Sequence, residues 1–471
     1  MNSQKPFISF RLLATIFITV PLILGATPQI LIASPLLPHV SSNMEDPQFW
    51  IRKIQNPSLL LLTPGEIRKM NEENLNREDL LLARIKDLKE DCGRDELSAL
   101  LKEDWGNFGR TEEVRYGRNG NPLGEAFWDR LKNNLNQESL KEKNRILFGL
   151  IVKRTNIRVF PTDEPSMSDS ANYEFDRFQH SSISPGSPIG IYYLSKDSIW
   201  VYAQTPFIRG WVRITDFATA RKKSEVSDCE DEKNRLVITG SFVKIFEDPL
   251  FQDPVFISQM GTSFPLLDLP GSSGMAGQYY VIKIPFRETT GQLTFHKAFV
   301  PRKEDVHRGF LPYDQENLAR QAFKMLHQPY GWGEMFGGRD CSRFIMDLFA
   351  TFGILMPRNS KLQARIGIPL GHVEGKTVKE KEKILDGAVP LATLLRFPGH
   401  IMLYLGQEKG RYYVIHSIWG IQKGGWFGPS LKKIGKVGVS HLNLGSSGPN
   451  GSLLHRLTEI QFIGFDSAVQ K

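Results

Sequence analysis

Cysteine is scarce in this 471-residue chain, which contains only Cys92, Cys229 and Cys341. An odd number of cysteines cannot all pair within one chain. In an oxidising compartment an accessible thiol would be oxidised unless it is buried or used. For Cys92 and Cys229 the sequence predicts either a surface pair or two buried thiols. Cys341 lies in the polar run RDCSR, residues 339–343, which argues against its full burial.

The chain also lacks a block of basic residues interleaved with aromatic ones, and this absence argues against nucleic acid as a partner. The formal net charge is nevertheless +8, which suits an anionic partner such as a cell envelope. Hydrophobic residues make up 41% and charged residues 23%, as in ordinary globular proteins. The length allows three or four domains.

No apolar run reaches the about 20 residues that a membrane-spanning helix needs. Lys5 and Arg11 precede a shorter apolar run at residues 12–26, LLATIFITVPLILGA. A charged start followed by a short apolar segment is typical of a secretory signal. We therefore interpret residues 1–33 as a signal peptide or an uncleaved anchor. The mature protein is expected in the periplasm or cell envelope or outside the cell, with membrane contact only if the leader is retained.

Four regions follow this leader. Residues 34–145 are expected to be helical and to cap another part of the chain, with a capping box at Thr63 and Glu66. Residues 146–222 contain short strand-like runs separated by turn residues, which favour a small β-barrel. Residues 223–305 partly repeat that pattern and predict a second barrel. Residues 306–471 combine helices with the strand-like runs HIMLYLG and YYVIHSI, joined by the short polar segment QEKGR.

The chemistry centres on Cys341, which is expected to begin an apolar helix whose free backbone N–H groups lower the pKa of the thiol. If the turn between the two runs centres near Glu408, His400 and His416 lie opposite each other on a hairpin. A thiol, a base and an orienting group form an activated nucleophile. We expect Cys341 to attack a carbonyl carbon, His400 to carry the proton and His416 to orient His400. A zinc site formed by Cys341 and the two histidines is the alternative.

These segments resemble the NlpC/P60 family of cell-wall cysteine peptidases, through PYGWGEMFGGRDCSRF, PGHIMLYLG and VIHS. The two β-rich regions resemble bacterial SH3 domains, and LLTPGEIRKMN resembles the helical segment that accompanies some members. The resemblance implies a multidomain α+β protein, in which two small SH3-like β-barrels and an N-terminal helical region precede a papain-like catalytic domain. It also implies hydrolysis of the γ-D-glutamyl-L-diamino acid bond in peptidoglycan stem peptides, with preference for a free N-terminal L-Ala.

The resemblance implies the catalytic triad Cys341, His400 and His416, without a metal or cofactor. It also implies a set of substrate-binding residues. Tyr330 would be a ligand or oxyanion donor, Asp340 and Ser342 would bind the substrate backbone, and Arg358 and Ser360 would bind the D-Glu carboxylate. The acid that meets the free amine is expected in the first barrel, at Asp176 with Glu174 behind it.

The chain departs from the family pattern at Arg343, which replaces a glycine beside the nucleophile, and at Glu334 and Met335, which interrupt a glycine run. These departures question the choice of substrate more than the reaction. Two other functions stay open at this stage. The protein could be a non-catalytic peptidoglycan-binding protein, or a thiol amidase or acyltransferase that acts on another wall bond. A monomer is expected, with muropeptides or stem peptides as its partners.

Overall fold

The computed structural model describes residues 36–231, 233–267, 275–424 and 430–465. The leader expected at residues 1–33 lies outside the described residues. Within the described ranges, no helix is both long and apolar enough to cross a membrane.

The region before residue 146 consists of short helices connected by turns. The predicted capping box is confirmed, because Thr63 caps its helix through Glu66 in both directions. The helices are α1 (Pro47–Ile51), α2 (Pro64–Leu75), α3 (Arg94–Phe108) and α4 (Glu125–Asn134), with 3-10 turns at Ser42–Glu45, Glu78–Leu80, Ile85–Asp87 and Gln137–Ser139; the strands are β1 (Leu60–Leu62), β2 (Asp91–Gly93) and β3 (Lys143–Arg145).

This region has no hydrophobic core of its own among the described residues. Trp50 and Met70, from its first half, join the core of the C-terminal region, and β1 pairs with a C-terminal strand at Asp314. Leu101 and Trp128, from its second half, join the core beneath the first barrel. The N-terminal helices therefore connect two other parts of the molecule.

The first barrel is one seven-stranded antiparallel sheet in the order β10-β4-β7-β8-β9-β5-β6. Its aromatic core includes Phe160, Phe178 and Trp211, all fully buried. The strands are β4 (Leu147–Ile151), β5 (Thr155–Arg158), β6 (Gln179–Ile183), β7 (Pro188–Leu194), β8 (Trp200–Gln204), β9 (Arg209–Arg213) and β10 (Phe217–Thr219), with a 3-10 turn at Ile214–Asp216 and helix α5 (Lys223–Asp231) after them.

The second barrel has a four-stranded sheet, β13-β12-β16-β15, and a three-stranded sheet, β14-β11-β17. A separate small core that includes Leu236 and Ile282 lies between the sheets. The strands are β11 (Arg235–Ile238), β12 (Phe242–Phe246), β13 (Pro254–Gln259), β14 (Ser263–Pro265), β15 (Tyr279–Arg287), β16 (Leu293–Pro301) and β17 (Val306–Arg308), with a 3-10 turn at Met275–Gln278.

The C-terminal region packs helices on a six-stranded sheet in the order β19-β24-β20-β21-β22-β23. The largest core cluster lies between these layers. The strands are β18 (Tyr313–Asp314), which pairs with β1, β19 (Ile368–His372), β20 (Thr393–Phe397), β21 (His400–Glu408), β22 (Arg411–Lys423), β23 (Ser430–His441) and β24 (Glu459–Phe462); the helices are α6 (Gln315–Phe323), α7 (Cys341–Ala350), α8 (Ser360–Gln363), α9 (Val378–Asp386) and α10 (Leu453–Arg456), with a 3-10 segment at Trp332–Gly337.

The predicted hairpin exists, since β21 and β22 are antiparallel neighbours, but its predicted register is wrong. Glu408 pairs with Arg411 across a turn at residues 409–410, and a bulge follows before Leu403 pairs with Ile415. Continuing this register places His416 beside residue 402 rather than beside His400. The two histidines are therefore diagonal neighbours on one face, which still lets their side chains meet. The main reason is the turn, which lies at residues 409–410 rather than at Glu408; the bulge between Tyr404 and Gly406 then moves the register by one residue toward the predicted pairing.

Candidate active site

Helix α7 places the thiol of Cys341 at its first residue, as the sequence predicts. Asp340 caps the helix by accepting the backbone N–H of Arg343 at 2.8 Å. Phe344 and Leu348 on the apolar face are fully buried, which anchors the helix in the core. The combination of an acidic cap and an apolar face therefore fixes the position of the thiol.

The environment of the thiol differs from the sequence prediction in two respects. Cys341 is buried, with 7% of its surface exposed, despite the polar residues around it. Burial, followed by the negative charge of Asp340, raises the pKa of the Cys341 thiol to about 12, although the N–H groups of Ile401 and Ser342 and the charge of Arg358 act in the opposite direction. The favourable helix terminus is present, but desolvation of a lone thiolate outweighs it. All three cysteines are buried and outside any disulfide, so for Cys92 and Cys229 the alternative of two buried thiols is confirmed and that of a surface pair is not.

The two predicted histidines are directly hydrogen-bonded, with His400 Nε2 2.6 Å from His416 Nδ1. His416 is completely buried, and its Nε2 lies 3.0 Å from Ser440 Oγ on β23. Burial, followed by the positive charge of Arg456, lowers the pKa of His400 to about 3. Burial also lowers the pKa of His416. Both rings are therefore neutral at neutral pH, the state in which an imidazole can accept a proton.

Two cavities meet beside these residues, and we name them after the catalytic candidates that line them. The Cys341 chamber has a volume of about 650 Å³ and is also lined by Ser342, Arg358 and Ser360. The His400 chamber has a volume of about 300 Å³. Three residues line both chambers, and they are Tyr330, Trp332 and Gly399. A substrate that crosses this junction would place one part in each chamber.

Tyr330 lies at this junction, close to the thiol. Burial, followed by the negative charges of Cys341 and Asp340, raises the pKa of Tyr330, so its hydroxyl stays protonated and can donate a hydrogen bond. Ser360 begins helix α8 and lines the Cys341 chamber. The structure thus brings both residues to the thiol, as the sequence predicts.

Arg358 also reaches this chamber, but its planar fork is already occupied. Nη1 and Nη2 donate to the two carboxylate oxygens of Asp340 at 3.2 and 2.6 Å, while Nη1 also donates to Ser342 Oγ at 2.7 Å. Nε donates to Ser181 Oγ of the first barrel at 2.6 Å. The fork expected to hold a substrate carboxylate therefore holds Asp340, and the polar atoms of Asp340 and Ser342 are used within the protein.

Asp176 does not lie where the sequence places it. Its carboxylate is buried and accepts hydrogen bonds from Arg158 Nη1 at 2.5 Å and from the backbone N–H groups of Ser166 and Phe178 at 2.9 and 2.8 Å. It therefore holds the loop of the first barrel together and cannot meet a substrate amine. Its backbone carbonyl does accept the indole N–H of Trp332 at 3.0 Å, so Asp176 supports the chamber wall indirectly.

Glu174, the reserve candidate, pairs with Lys433 and accepts the indole N–H of Trp419 at 2.9 Å. Besides Asp340, which Arg358 holds, the acids that line the Cys341 chamber come from helix α3 and are Glu103 and Asp104. Arg209 Nη2 donates to both, at 2.7 and 3.1 Å, and burial raises the pKa of Asp104. In the sequence these two acids resemble an ordinary solvated helix face, so no local signal distinguishes them.

The two departures from the family pattern are partners in the structure. The completely buried Glu334 accepts Arg343 Nη1 at 2.9 Å, and it also accepts Ser181 Oγ at 2.8 Å and Ser182 Oγ at 2.7 Å from the first barrel. Burial alone would raise the pKa of Glu334, but the charges of Arg343 and Arg154 lower it to about 2. The ion pair therefore joins the nucleophile helix to the barrel that covers it.

The same buried network reaches the second barrel through Asp347. Its carboxylate accepts Arg343 Nε at 2.6 Å, Arg339 Nε at 2.6 Å and Gln259 Nε2 at 2.5 Å. Arg339 in turn donates to the carbonyl of Ser241 at 2.8 Å. Both barrels are thus fixed to helix α7.

Within the described ranges, no group of three or more His, Cys, Asp or Glu side chains is arranged to hold a metal ion.

Comparison with protein families agrees with this arrangement. Residues 327–419, which include Cys341, His400 and His416, match the NlpC/P60 family, and residues 164–213 match an SH3 domain of the SH3b1 type. Among curated proteins, dipeptidyl-peptidase 6 from Lysinibacillus sphaericus is 23% identical over 224 residues, which cover 47% of this chain and 74% of that protein.

Among solved structures, an NlpC/P60 endopeptidase from Photobacterium damselae subsp. piscicida has the same fold, with a TM-score of 0.70 and 19% identity over 88% of this chain and 96% of that one. An NlpC/P60 family protein from Bacillus cereus gives a TM-score of 0.45 and 16% identity over 67% of this chain and 98% of that one. The match to the first structure extends over the barrels as well as the C-terminal region, because it covers most of the chain.

Proposed function

Because the chain is an NlpC/P60 peptidase with an SH3b domain in a multidomain α+β fold, we propose that it is a cysteine endopeptidase of peptidoglycan stem peptides. The bond cleaved is the one between the γ-carboxyl of D-Glu and the following L-diamino acid. One observation carries the proposal: a buried thiol at a helix N-terminus lies in a cavity that meets the chamber of a hydrogen-bonded histidine pair.

In the proposed reaction, His400 accepts the proton of the Cys341 thiol while the sulfur attacks the γ-carbonyl carbon. Burial disfavours a lone thiolate and a lone imidazolium, but this proton transfer creates the two charges together, so that each stabilises the other. The tetrahedral oxyanion accepts hydrogen bonds from the backbone N–H of Cys341 and the hydroxyl of Tyr330. The proton then passes from His400 to the leaving amine as the carbon–nitrogen bond breaks.

A thioester between Cys341 and the γ-carboxyl of D-Glu remains after the first step. Water adds to this thioester with His400 as the base, and the products are the N-terminal dipeptide and the free thiol. His416 holds the His400 ring throughout, which is an orienting role because it contacts the base and not the substrate. The reaction needs no group from outside the chain except water.

The preference for a free N-terminal L-Ala is part of the proposal, with a different acid from the one that the sequence indicates. Glu103 supports it, because its carboxylate is exposed and lines the Cys341 chamber, whereas Asp176 is buried. A substrate ammonium would share the exposed carboxylate of Glu103 with Arg209, which already donates to one of its oxygens. The apolar residues 12–26 and the wall substrate together support export to the periplasm, cell envelope or medium.

The test uses mass spectrometry of the purified protein with L-Ala-γ-D-Glu-diaminopimelate and with its N-acetylated form. Release of L-Ala-D-Glu from the free-amine peptide alone is the expected result, and Cys341→Ala abolishes it. Cleavage of both peptides would retain the peptidase and remove the amine preference. Undiminished turnover by Cys341→Ala would overturn the thiol mechanism, and release of a different fragment would identify a different bond.

A further inference from the structure

The His400 chamber has a wall that the proposed mechanism does not use. Residues 444–456, which follow the last long strand, supply part of this wall, including Leu453 and Arg456. Aromatic side chains form the rest, among them Trp419 and Phe397. Among the described residues that line this chamber, Arg456 is the only one whose side chain carries a permanent charge, since His400 is neutral.

Arg456 is held close to the catalytic base by two ring contacts. Its guanidinium lies over the Phe397 ring, 3.9 Å from the ring centre. The Phe397 ring contacts the His400 ring with 5.3 Å between centres. At this separation the positive charge of Arg456 also contributes to the lowered pKa of His400.

This cation has no acidic counterpart among the residues that the structure describes. Burial lowers the pKa of Arg456, and no carboxylate contributes to that shift. Glu174, which accepts the indole N–H of the wall residue Trp419, is already paired with Lys433. A half-buried guanidinium without an anion has lost part of its hydration and has not regained it in an ion pair, so a bound carboxylate would stabilise it.

The chemistry of the proposed reaction decides which part of the substrate enters this chamber. His400 delivers the proton to the leaving amine, so the leaving residue must begin at His400. The acyl part stays with Cys341 and occupies the other chamber. The leaving residue of a stem peptide is an L-diamino acid, which carries an α-carboxylate when it is C-terminal. Diaminopimelate carries a second carboxylate on its side chain, whereas lysine does not.

We propose that the His400 chamber is a subsite for the leaving diamino acid and that Arg456 binds a carboxylate of that residue. This inference rests on the proposed function, and it makes Arg456 a specificity-determining residue. The carboxylate is either the C-terminal one or the one on the side chain. The two sources make different predictions for peptides that carry only one of them.

The experiment compares four peptides that share L-Ala-γ-D-Glu and differ in the leaving residue. Lysine amide has no carboxylate, lysine has only the α-carboxylate, diaminopimelate α-amide has only the side-chain carboxylate, and free diaminopimelate has both. We expect wild-type kcat/KM for lysine amide to be at least about tenfold lower than for the best peptide, mainly through KM. The two peptides whose leaving residue carries a single carboxylate identify which carboxylate is bound. Equal kcat/KM for all four would overturn the proposal.

Substitution of Arg456 gives the second arm. Arg456→Gln is expected to remove the difference between the four peptides, and Arg456→Lys to retain part of it. Arg302→Gln is the matched control, because Arg302 also lies over an aromatic ring, that of Tyr280 at 4.6 Å, but outside both chambers. Undiminished selectivity in a folded Arg456→Gln variant would contradict the proposal. If that variant does not fold, the comparison of peptides on the wild type still decides.

A binding measurement separates failure of this subsite from failure of the proposed reaction. Tryptophan fluorescence of Cys341→Ala is titrated with free diaminopimelate and with its diamide, because Trp332 and Trp419 line the chamber. Tighter binding of the free diacid, lost in Cys341→Ala combined with Arg456→Gln, supports the subsite even if no peptide is cleaved. Equal binding of diacid and diamide would overturn it, even if the enzyme is an active peptidase.

Discussion

His400 Nε2 and His416 Nδ1 are 2.6 Å apart, so one proton lies between the two rings. Only one arrangement leaves His400 able to act as a base through its other nitrogen. His400 must donate through Nε2, His416 must accept through Nδ1, and His416 must carry its own proton on Nε2. Ser440 Oγ, 3.0 Å from His416 Nε2, can accept that proton in a hydrogen bond. Ser440 is therefore a positioning residue that favours the productive tautomer.

Removal of the orienting ring is the first prediction. His416→Ala is expected to lower kcat by about 10²–10⁴-fold with little change in KM, because the base loses its tautomer and its orientation. His416→Asn should be less impaired, since the amide oxygen can accept the His400 proton. Ser440→Ala should have the smallest effect, at most about tenfold. Steady-state kinetics with the free-amine peptide measures all three, and unchanged kcat in His416→Ala would show that His400 needs no partner.

The ion pair of Glu334 and Arg343 leads to the second prediction. Glu334→Gln removes a completely buried charge and leaves Arg343 with one counter-ion fewer, so it is expected to lower the free energy of unfolding by about 3–5 kcal/mol at neutral pH. Urea denaturation measures this loss. Lys196→Gln is a suitable control, because its pair with Glu138 is exposed and contributes about 0–1 kcal/mol.

The same substitution has a pH dependence whose sign follows from the pKa. The pKa of Glu334 is lowered from 4.5 to about 2 in the folded protein. Its stabilising effect is therefore present above pH 4.5 and is lost as the pH falls from 4.5 through about 2. The difference in stability between wild type and Glu334→Gln should shrink over this range. A difference that stays constant down to acid pH would mean that the charge of Glu334 is not what stabilises the fold.

The backbone of the Trp332–Gly337 segment gives the third prediction. Gly333 has φ +54°, and a Cβ there would lie 2.8 Å from the side chain and the carbonyl oxygen of Gln179 on the first barrel. Gly337 has φ +76° but open space around it. Gly333→Ala is expected to cost about 1–3 kcal/mol and to raise KM, because Trp332 lines both chambers.

Gly337→Ala is the matched control for this prediction, since it has the backbone penalty without the steric clash. We expect it to cost about 1 kcal/mol and to leave KM unchanged. Thermal denaturation and kinetics of the two variants separate the effect of backbone strain from the effect of the steric clash with the first barrel. Equal effects of both substitutions would mean that the contact between Gly333 and the barrel does not position the wall of the cleft.

The sequence could predict those parts of the site that depend on local pattern. The apolar helical pattern that begins at Cys341 predicts its place at a helix N-terminus, and two strand-like runs around a short polar segment predict both histidines on one hairpin. The register could not be predicted, because it depends on a turn at residues 409–410 and on a bulge between Tyr404 and Gly406, and the hydrophobic pattern fixes the position of neither. The two histidines are nevertheless close to each other, because diagonal positions on neighbouring strands lie on the same face of the sheet.

Contacts between distant regions of the chain could not be predicted either, because they do not depend on local sequence pattern. Glu334 and Arg343 interrupt a glycine pattern, and nothing local indicates that they neutralise each other against a barrel about 150 residues earlier in the chain. The sequence predicts Asp176 as the amine-binding acid of the first barrel, but it does not show that Arg158 faces this residue. Helix α3 contributes Glu103 to the chamber only because the N-terminal region shares its core with the first barrel.

The last prediction separates the two acids, Glu103 and Asp176. Glu103→Gln is expected to raise KM for the free-amine peptide by about tenfold and to leave stability nearly unchanged, because its side chain is exposed. Asp176→Asn should do the opposite. It breaks a buried pair with Arg158, so we expect it to lower the free energy of unfolding by about 3–5 kcal/mol, while the folded fraction keeps its amine preference.

The measurement pairs kcat/KM for the free-amine and N-acetylated peptides with urea denaturation of both variants. The ratio of the two kcat/KM values reports amine recognition, and it is independent of the amount of folded enzyme because both peptides are cleaved by the same preparation. A ratio that collapses in Asp176→Asn and persists in Glu103→Gln would return the amine site to the first barrel. A ratio that collapses only in Glu103→Gln would assign it to helix α3, because that residue reaches the chamber without supporting the fold.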